Sequence, residues 1–263
     1  MFIGYEECQR ELLANANAAG KTAHERWLAR FDLKEAVIPF VHGFKHEKLF
    51  TFTMSDYERV VKESGHALGN VQSGEQIKGV EDYNTPFALQ HLFHDLIETK
   101  GILPTWEQYS TWMKTEAKPR YLGPLMAHFG YRELDTAGRL RLGRAIQWRL
   151  GKFYYSAMRE IELMLKVKEV HGVQMRYHLL ADVLLRVDFW HGKTLICVWF
   201  SNPKYRTQDA GRKVAAKTYF DDGSDGINII NVEIERQGYG NFWRASNESI
   251  QRLGNSILSH TTL

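Results

Sequence analysis

Cations at helical spacing are the first chemistry this chain offers. Between Gly138 and Val170, the residues Leu142, Ile146, Leu150, Phe153, Ala157, Ile161 and Met164 fall on one side of a helix turned about 100° per residue. Arg141, Arg144, Arg149, Lys152, Arg159 and Lys166 fall within roughly 140° on the other side. From Arg139 through Lys152 there is no acid, so pairs four residues apart cannot neutralise this part of the line. A solvated face can have the same composition. Trp148, on the same side as the uninterrupted cations, favours a polyanion: each phosphate contact releases counterions and makes binding steeply salt-dependent. A second basic group follows, in which Lys204 and Arg206 flank Tyr205 just past a predicted strand end, with Arg212 and Lys213 behind them.

The overall charge conceals this arrangement. The net formal charge is +3, yet Gly138 to Thr218 hold 16 Lys and Arg against 6 Asp and Glu, leaving 18 against 25 elsewhere. Segregation of this size makes a local positive field, and DNA is the partner it suggests. Cys8 and Cys197 are the only cysteines, with no C-x-x-C and no His/Cys cluster, which excludes a disulfide scaffold and gives no zinc signature. No apolar run approaches the roughly 20 residues a bilayer requires, and the start MFIGYEECQRELL lacks an export pattern. These observations lead us to expect a cytoplasmic protein with no membrane partner.

The elements that must carry these residues are read from periodicity. Residues 1–36 are expected to be helical and KLFTFTM (48–54) a strand; Ser55 is expected to cap a helix with Glu58, and residues 67–81 to form a mobile polar loop. Thr85-Pro86 opens a helix that Gly101 stops, and Pro104-Thr105 opens the next. After the basic helix, Gln174–Trp190 and Thr194–Ser201 are expected to form a hairpin turning at His191-Gly192, with Val187 opposite Ile196 and Asp182 opposite Ser201. A helix over 208–220 and a strand over 227–234 complete the pattern. The expected class is α+β. A mainly helical domain spans 1–135, and a basic helix plus a nuclease-like module with a mixed sheet spans 136–263.

Two resemblances follow from these residues. Gly101, Pro104, Thr105, Tyr109, Trp112, Pro119, Tyr121, Phe129 and Gly130 make 97–131 resemble the homing-endonuclease-associated repeat, a small helical DNA-binding unit of phage and mobile-element proteins. The tryptophan usual soon after its Phe-Gly pair is absent here. The order helix, hairpin, helix, strand over about 140–236 resembles the core of the PD-(D/E)XK nucleases, which implies a Mg²⁺-dependent phosphodiesterase. The resemblance places Asp182 as the family's aspartate and Glu160 or Glu162 as the helical acid. The expected pairing puts Cys197, Trp199 and Ser201 where Glu-x-Lys belongs, so the module is expected to be inactive and to need no cofactor.

Two other motifs carry less. His91-x-x-His94-Asp95 resembles an HD-phosphohydrolase motif without its supporting residues, and we read these histidines as structural. The 221–226 acidic turn fails as a calcium loop, having Gly223 and Val232 where ligands are needed. The sequence therefore points to a double-stranded DNA-binding regulator or accessory factor of a plasmid, phage or integrative element. Arg141, Arg144, Arg149, Lys152, Arg159, Lys204, Arg206, Arg212 and Lys213 would contact DNA, and a homodimer is expected because operators are often palindromic. The alternative is a divalent-metal endonuclease using Asp182 with Glu160 or Glu162.

Overall fold

The helical periodicity of the first half of the chain resolves into short helices packed around one long one. The computed structural model describes residues 2–72, 75–200, 215–239 and 241–261. In order they form β1 (Ile3–Gly4), α1 (Tyr5–Glu11), α2 (Ala18–Leu28), α3 (Phe31–Lys34), α4 (Val37–Gly43), β2 (Lys45–His46), α5 (Met54–Glu63) and α6 (Lys78–Glu81). Then come α7 (Leu89–Lys100), α8 (Trp106–Lys114), α9 (Leu122–His128) and α10 (Thr136–His171). The remainder comprises β3 (Phe189–His191), β4 (Thr194–Phe200), β5 (Asn228–Ile234), β6 (Arg236–Tyr239), β7 (Phe242–Ala245) and α11 (Asn247–Thr261). The class is α+β, with a mixed sheet in the order β3-β4-β5. β3 runs antiparallel to β4 and β5 parallel to it, so the chain crosses over between β4 and β5. Buried residues from Ile3 to Ile257 make one contiguous core.

α10 organises this core. Asp135 caps it by accepting the Gly138 N–H at 2.7 Å, and Gly172, in the left-handed region, ends it. Its 36 residues make a rod of about 54 Å. Of the expected apolar face, Leu142, Leu150, Ala157, Ile161 and Met164 are buried, while Ile146 and Phe153 are half-buried. In the C-terminal half burial extends further around the helix, to Glu162, Leu163, Leu165 and Val167, where β7 and α11 pack. Glu162 has no exposure; it accepts from Arg244 Nε at 2.5 Å and from the Ala245 N–H at 3.3 Å, with Lys166 Nζ 3.3 Å away.

Of the stretch expected as a mobile loop over 67–81, the described residues are mostly turns before α6, and they form a strap over α10. The Tyr155 hydroxyl accepts the Ala67 N–H at 2.9 Å, and Gln147 Nε2 donates to the carbonyls of Ala67 and Leu68, both at 3.3 Å. Gly151 permits this approach: a Cβ there would stand 2.8 Å from Leu68 and 3.0 Å from the Ala67 carbonyl. Long-range bonds also join the first residues to the last third of the chain. Glu11 accepts from Arg176 and from Trp190 Nε1 (2.8 Å), and the Asn17 N–H donates to the Tyr219 carbonyl at 2.9 Å.

Several sequence expectations hold. Gly101 ends α7 in the left-handed conformation, Thr105 caps α8 with Gln108, and β5 lies where the apolar run predicts it. Others are corrected. KLFTFTM begins as a 3₁₀ turn over Lys48–Thr51, because Glu98 accepts the N–H groups of Glu47, Lys48 and Leu49 at 3.0, 2.8 and 3.1 Å and so removes the donors a strand ladder would use. The α5 cap is Thr53 with Asp56 rather than Ser55 with Glu58. Asp182 lies in a π-helical turn over Ala181–Leu185, not on a strand; within this run Leu179, Leu180, Ala181 and Leu185 are buried and Val183 and Leu184 half-buried, and an apolar run of that length does not specify a strand by itself. The hairpin turns one residue later than expected, pairing Phe189 with Ile196 and His191 with Thr194. Of the expected 208–220 helix, residues 208–214 lie outside the described residues, and Ala216–Thr218 form a 3₁₀ turn.

The Glu162 contacts make a stability prediction. Glu162→Ala would leave Arg244 and Lys166 without their buried acceptor, and urea unfolding should show a loss of about 3–5 kcal/mol; a loss below about 1 kcal/mol would mean that Glu162 does not hold β7 to α10.

Candidate functional site

On the outward side of α10 the expected line of cations is present but partly answered. Arg141 and Lys152 are exposed, and Lys152 Nζ stands 5.5 Å from the Trp148 ring centroid. Arg144, with half its side chain exposed, pairs with Glu75 from the strap. A hydrogen bond from the Gln72 N–H, and then Arg144 itself, hold the Glu75 carboxyl below its usual range. Arg149 turns inward, donating to the Val80 carbonyl and lying 5.7 Å from the Tyr121 ring centroid. Arg159 is half-buried, and Lys166 faces Glu162. The expectation of an unneutralised line from Arg139 through Lys152 is thus corrected at Arg144, whose acid partner comes from a segment distant in sequence; Arg149 turns inward to a carbonyl instead, and Glu162 is buried beside Lys166. Lys204, Arg206, Arg212 and Lys213 lie outside the described residues. Residues 201–214 hold four of the 34 Lys and Arg and one of the 31 Asp and Glu, so the whole net charge of +3 falls there and the rest of the chain is balanced.

The acids chosen for metal chemistry are not brought together as a ligand set. Asp182 is buried, and its Oδ2 accepts the Tyr177 hydroxyl at 3.0 Å. Burial, followed by the charges of Asp182 and Glu160, raises Tyr177 well above the usual phenol range, so it remains a donor. Glu162 is committed to Arg244, and Glu160, two residues earlier on the same helix, points to a different side. Among the described residues, no three His, Cys, Asp or Glu side chains are placed to hold a metal ion.

Sequence reasoning did not anticipate a cluster of buried histidines. His46, on β2, lies 4.9 Å from His94 and 5.6 Å from His178 between ring centroids, and His94 stacks on Tyr177 at 4.4 Å. His91 accepts the Ala88 N–H at the start of α7, and His178 accepts the Leu180 N–H at 3.1 Å. Asp95, the acid of the His-Asp signal, instead binds Arg120 at 2.6 Å. These contacts fit the structural reading of the motif. Burial, before any neighbouring charge, pushes His91 and His178 down to about 4 and His94 to about 3, and His46 well below its ordinary value.

Beside this cluster is a cleft of about 510 Å³. α10 lines it with Arg149 and Phe153, the turn after Leu180 with Asp182 and Arg186, and α2 with Trp27 and, two residues past its end, Arg30. The cleft therefore brings together Arg149 and Asp182, which the sequence suggested for different chemistries. Arg186 adopts φ 62°, the only described non-glycine residue at positive φ, and its Nε is buried without a hydrogen-bond partner. No sequence signal marks that conformation, because arginine is not a residue that favours it.

No family model, curated protein or solved structure matches this chain. The two resemblances therefore rest on the residues that suggested them.

The histidine cluster fixes the acid side of the stability profile. Each histidine titrates near 6.5 when unfolded but stays neutral when folded, so below pH 6.5 the unfolded state takes up protons that the native state does not. The histidines should leave stability flat between pH 7 and 8 and make it fall from pH 6.5 toward 4, by about 1.4 kcal/mol per pH unit for each. Urea titrations at pH 7.5, 6 and 5 measure this, and His94→Phe should flatten the fall by one proton. Equal stability at pH 7.5 and 5 would contradict neutral burial.

Proposed function

We propose that this protein binds double-stranded DNA through the outward side of the N-terminal half of α10, assisted by the basic segment 201–214. The observation that carries this reading is the exposure of Arg141, Arg144 and Lys152 along one line of the helix. From 141 to 152 the line runs for about 16 Å, long enough to meet several phosphates. The Arg144–Glu75 pair is no obstacle. Exposed ion pairs contribute about 0–1 kcal/mol, so a phosphate can replace Glu75 at little cost. Arg149, turned into the cleft, is not part of this face, and Arg159 contributes less than the exposed cations. A regulator or accessory factor of a plasmid, phage or integrative element fits the resemblance carried by 97–131, whose aromatics Trp106, Tyr109, Trp112 and Tyr121 form core and whose polar residues Gln108, Thr111 and Lys114 face solvent.

A Mg²⁺-dependent endonuclease has less support. The mixed β3-β4-β5 sheet following a long helix fits the nuclease-like order, but Asp182 is bound to Tyr177, Glu162 to Arg244, and β4 presents no Glu-x-Lys.

The Arg141→Glu, Arg144→Glu double variant should weaken binding to a 20-base-pair duplex at least tenfold. It should also flatten the plot of log affinity against log salt by about two units, one for each phosphate that is no longer neutralised. Unchanged affinity and slope would reject the α10 face. Cleavage of the duplex by the wild-type chain in Mg²⁺ or Mn²⁺, abolished in Asp182→Ala, would restore the nuclease reading.

A further inference from the structure

The cleft beside the histidine cluster has a chemistry that duplex binding does not use. Its charged lining is three arginines, Arg30, Arg149 and Arg186, against one carboxylate, Asp182, whose Oδ2 already accepts the Tyr177 hydroxyl at 3.0 Å. His91, also in the lining, is kept neutral by burial. With the charge of Arg30 met by Asp32, Arg149 and Arg186 against Asp182 leave the cleft net positive. Two of the arginines are fixed in position: Arg30 forks onto Asp32 at 3.1 and 2.5 Å, and Arg149 is held between the Val80 carbonyl and the Tyr121 ring.

Arg186 is the decisive residue. It ends the 181–185 turn at φ 62°, its N–H bonded to the Ala181 carbonyl, a place where glycine or asparagine serves with less strain. Capping therefore does not account for an arginine, whose Cβ is strained there and whose Nε is buried without an acceptor. Arg186 also lines the cleft, where a planar guanidinium suits a phosphate or carboxylate oxygen. The walls narrow the choice, since Tyr83, Phe87 and Phe153 offer aromatic surface, and Asn84 and Gln90 offer polar groups that could meet the edge of a ring. A volume of about 510 Å³ accommodates a small organic anion.

We infer that this cleft binds a nucleoside 5′-phosphate, with the phosphate on Arg186 and Arg149 and the base against the aromatic wall. The ligand has two sources with the same chemistry: a free mononucleotide or the phosphorylated 5′ end of a strand. The inference does not rest on the duplex proposal, because a mononucleotide is too small to engage the α10 face.

Calorimetry on the full chain tests it with four probes: adenosine 5′-phosphate, adenosine, and a trinucleotide with either a 5′-phosphate or a 5′-hydroxyl. Binding of adenosine 5′-phosphate at least tenfold tighter than adenosine supports a free nucleotide. Binding only of the phosphorylated trinucleotide, tenfold over its hydroxyl form, supports a strand end. Arg186→Gly and Arg186→Asn, both tolerant of the left-handed conformation, should reduce the affinity of the phosphorylated probe at least tenfold while Tm stays level or rises. Absence of binding by both phosphorylated probes would overturn the inference. So would equal binding with and without the phosphate, or full affinity in both Arg186 variants.

Discussion

A carboxylate with no access to solvent must be answered from within the protein, and the answer to Glu162 fixes much of this fold. Arg244 and the Ala245 N–H reach it from β7, and Lys166 reaches it from one turn further along α10. Arg244 extends the junction to α5, with Glu58 at 3.4 Å and the Tyr57 ring centroid at 5.4 Å. Replacing such a group of charges by apolar residues can be neutral in stability, whereas removing one partner alone is costly. The group is therefore better understood as setting register. It pins the C-terminal half of α10 in one rotation about its axis, and because the helix is a continuous rod, that rotation decides which residues of its N-terminal half reach water.

This division of α10 explains how far the fold and the candidate site could be read from the sequence. The helix, its core positions and the start and stop signals at Gly101 and Thr105 are local, encoded within a few residues of where they act, and they were legible. The strand β5 was legible for the same reason. The misreadings share a different cause. KLFTFTM alternates as a strand should, but the competing acceptor, Glu98, lies about 50 residues away. The run around Asp182 is apolar enough for either a strand or a buried turn, and packing selects the turn. The cations in the N-terminal half of α10 have no acid within four residues on the helix, yet Glu75 meets Arg144 from 69 residues away. Local periodicity describes a residue's neighbours on its own element and is silent on partners that folding brings in.

The arginines consequently occupy three environments: open solvent at Arg141, partnership with a carboxylate at Arg144, and a recessed wall at Arg149 and Arg186. These are chemically distinct despite an identical side chain. An open guanidinium binds any phosphate that approaches and gives it up as salt rises. One held beside an aromatic ring or in a buried turn has shed its hydration and much of its freedom before a ligand arrives, so it can discriminate by shape. The strap over α10 helps to separate the two kinds, with Glu75 on the exposed side and Val80 bonded to the arginine that turns inward.

The clasp at Glu11 has a consequence for how the chain is made. Its partners, Arg176 and Trp190, follow by 165 and 179 residues, and Asn17 waits still longer for Tyr219. During synthesis, α1 can pack on α4 soon after both have emerged, but the Glu11 carboxylate meets its partners only once the last third of the chain follows. Contacts of such wide separation are slow to close and leave intermediates prone to aggregate.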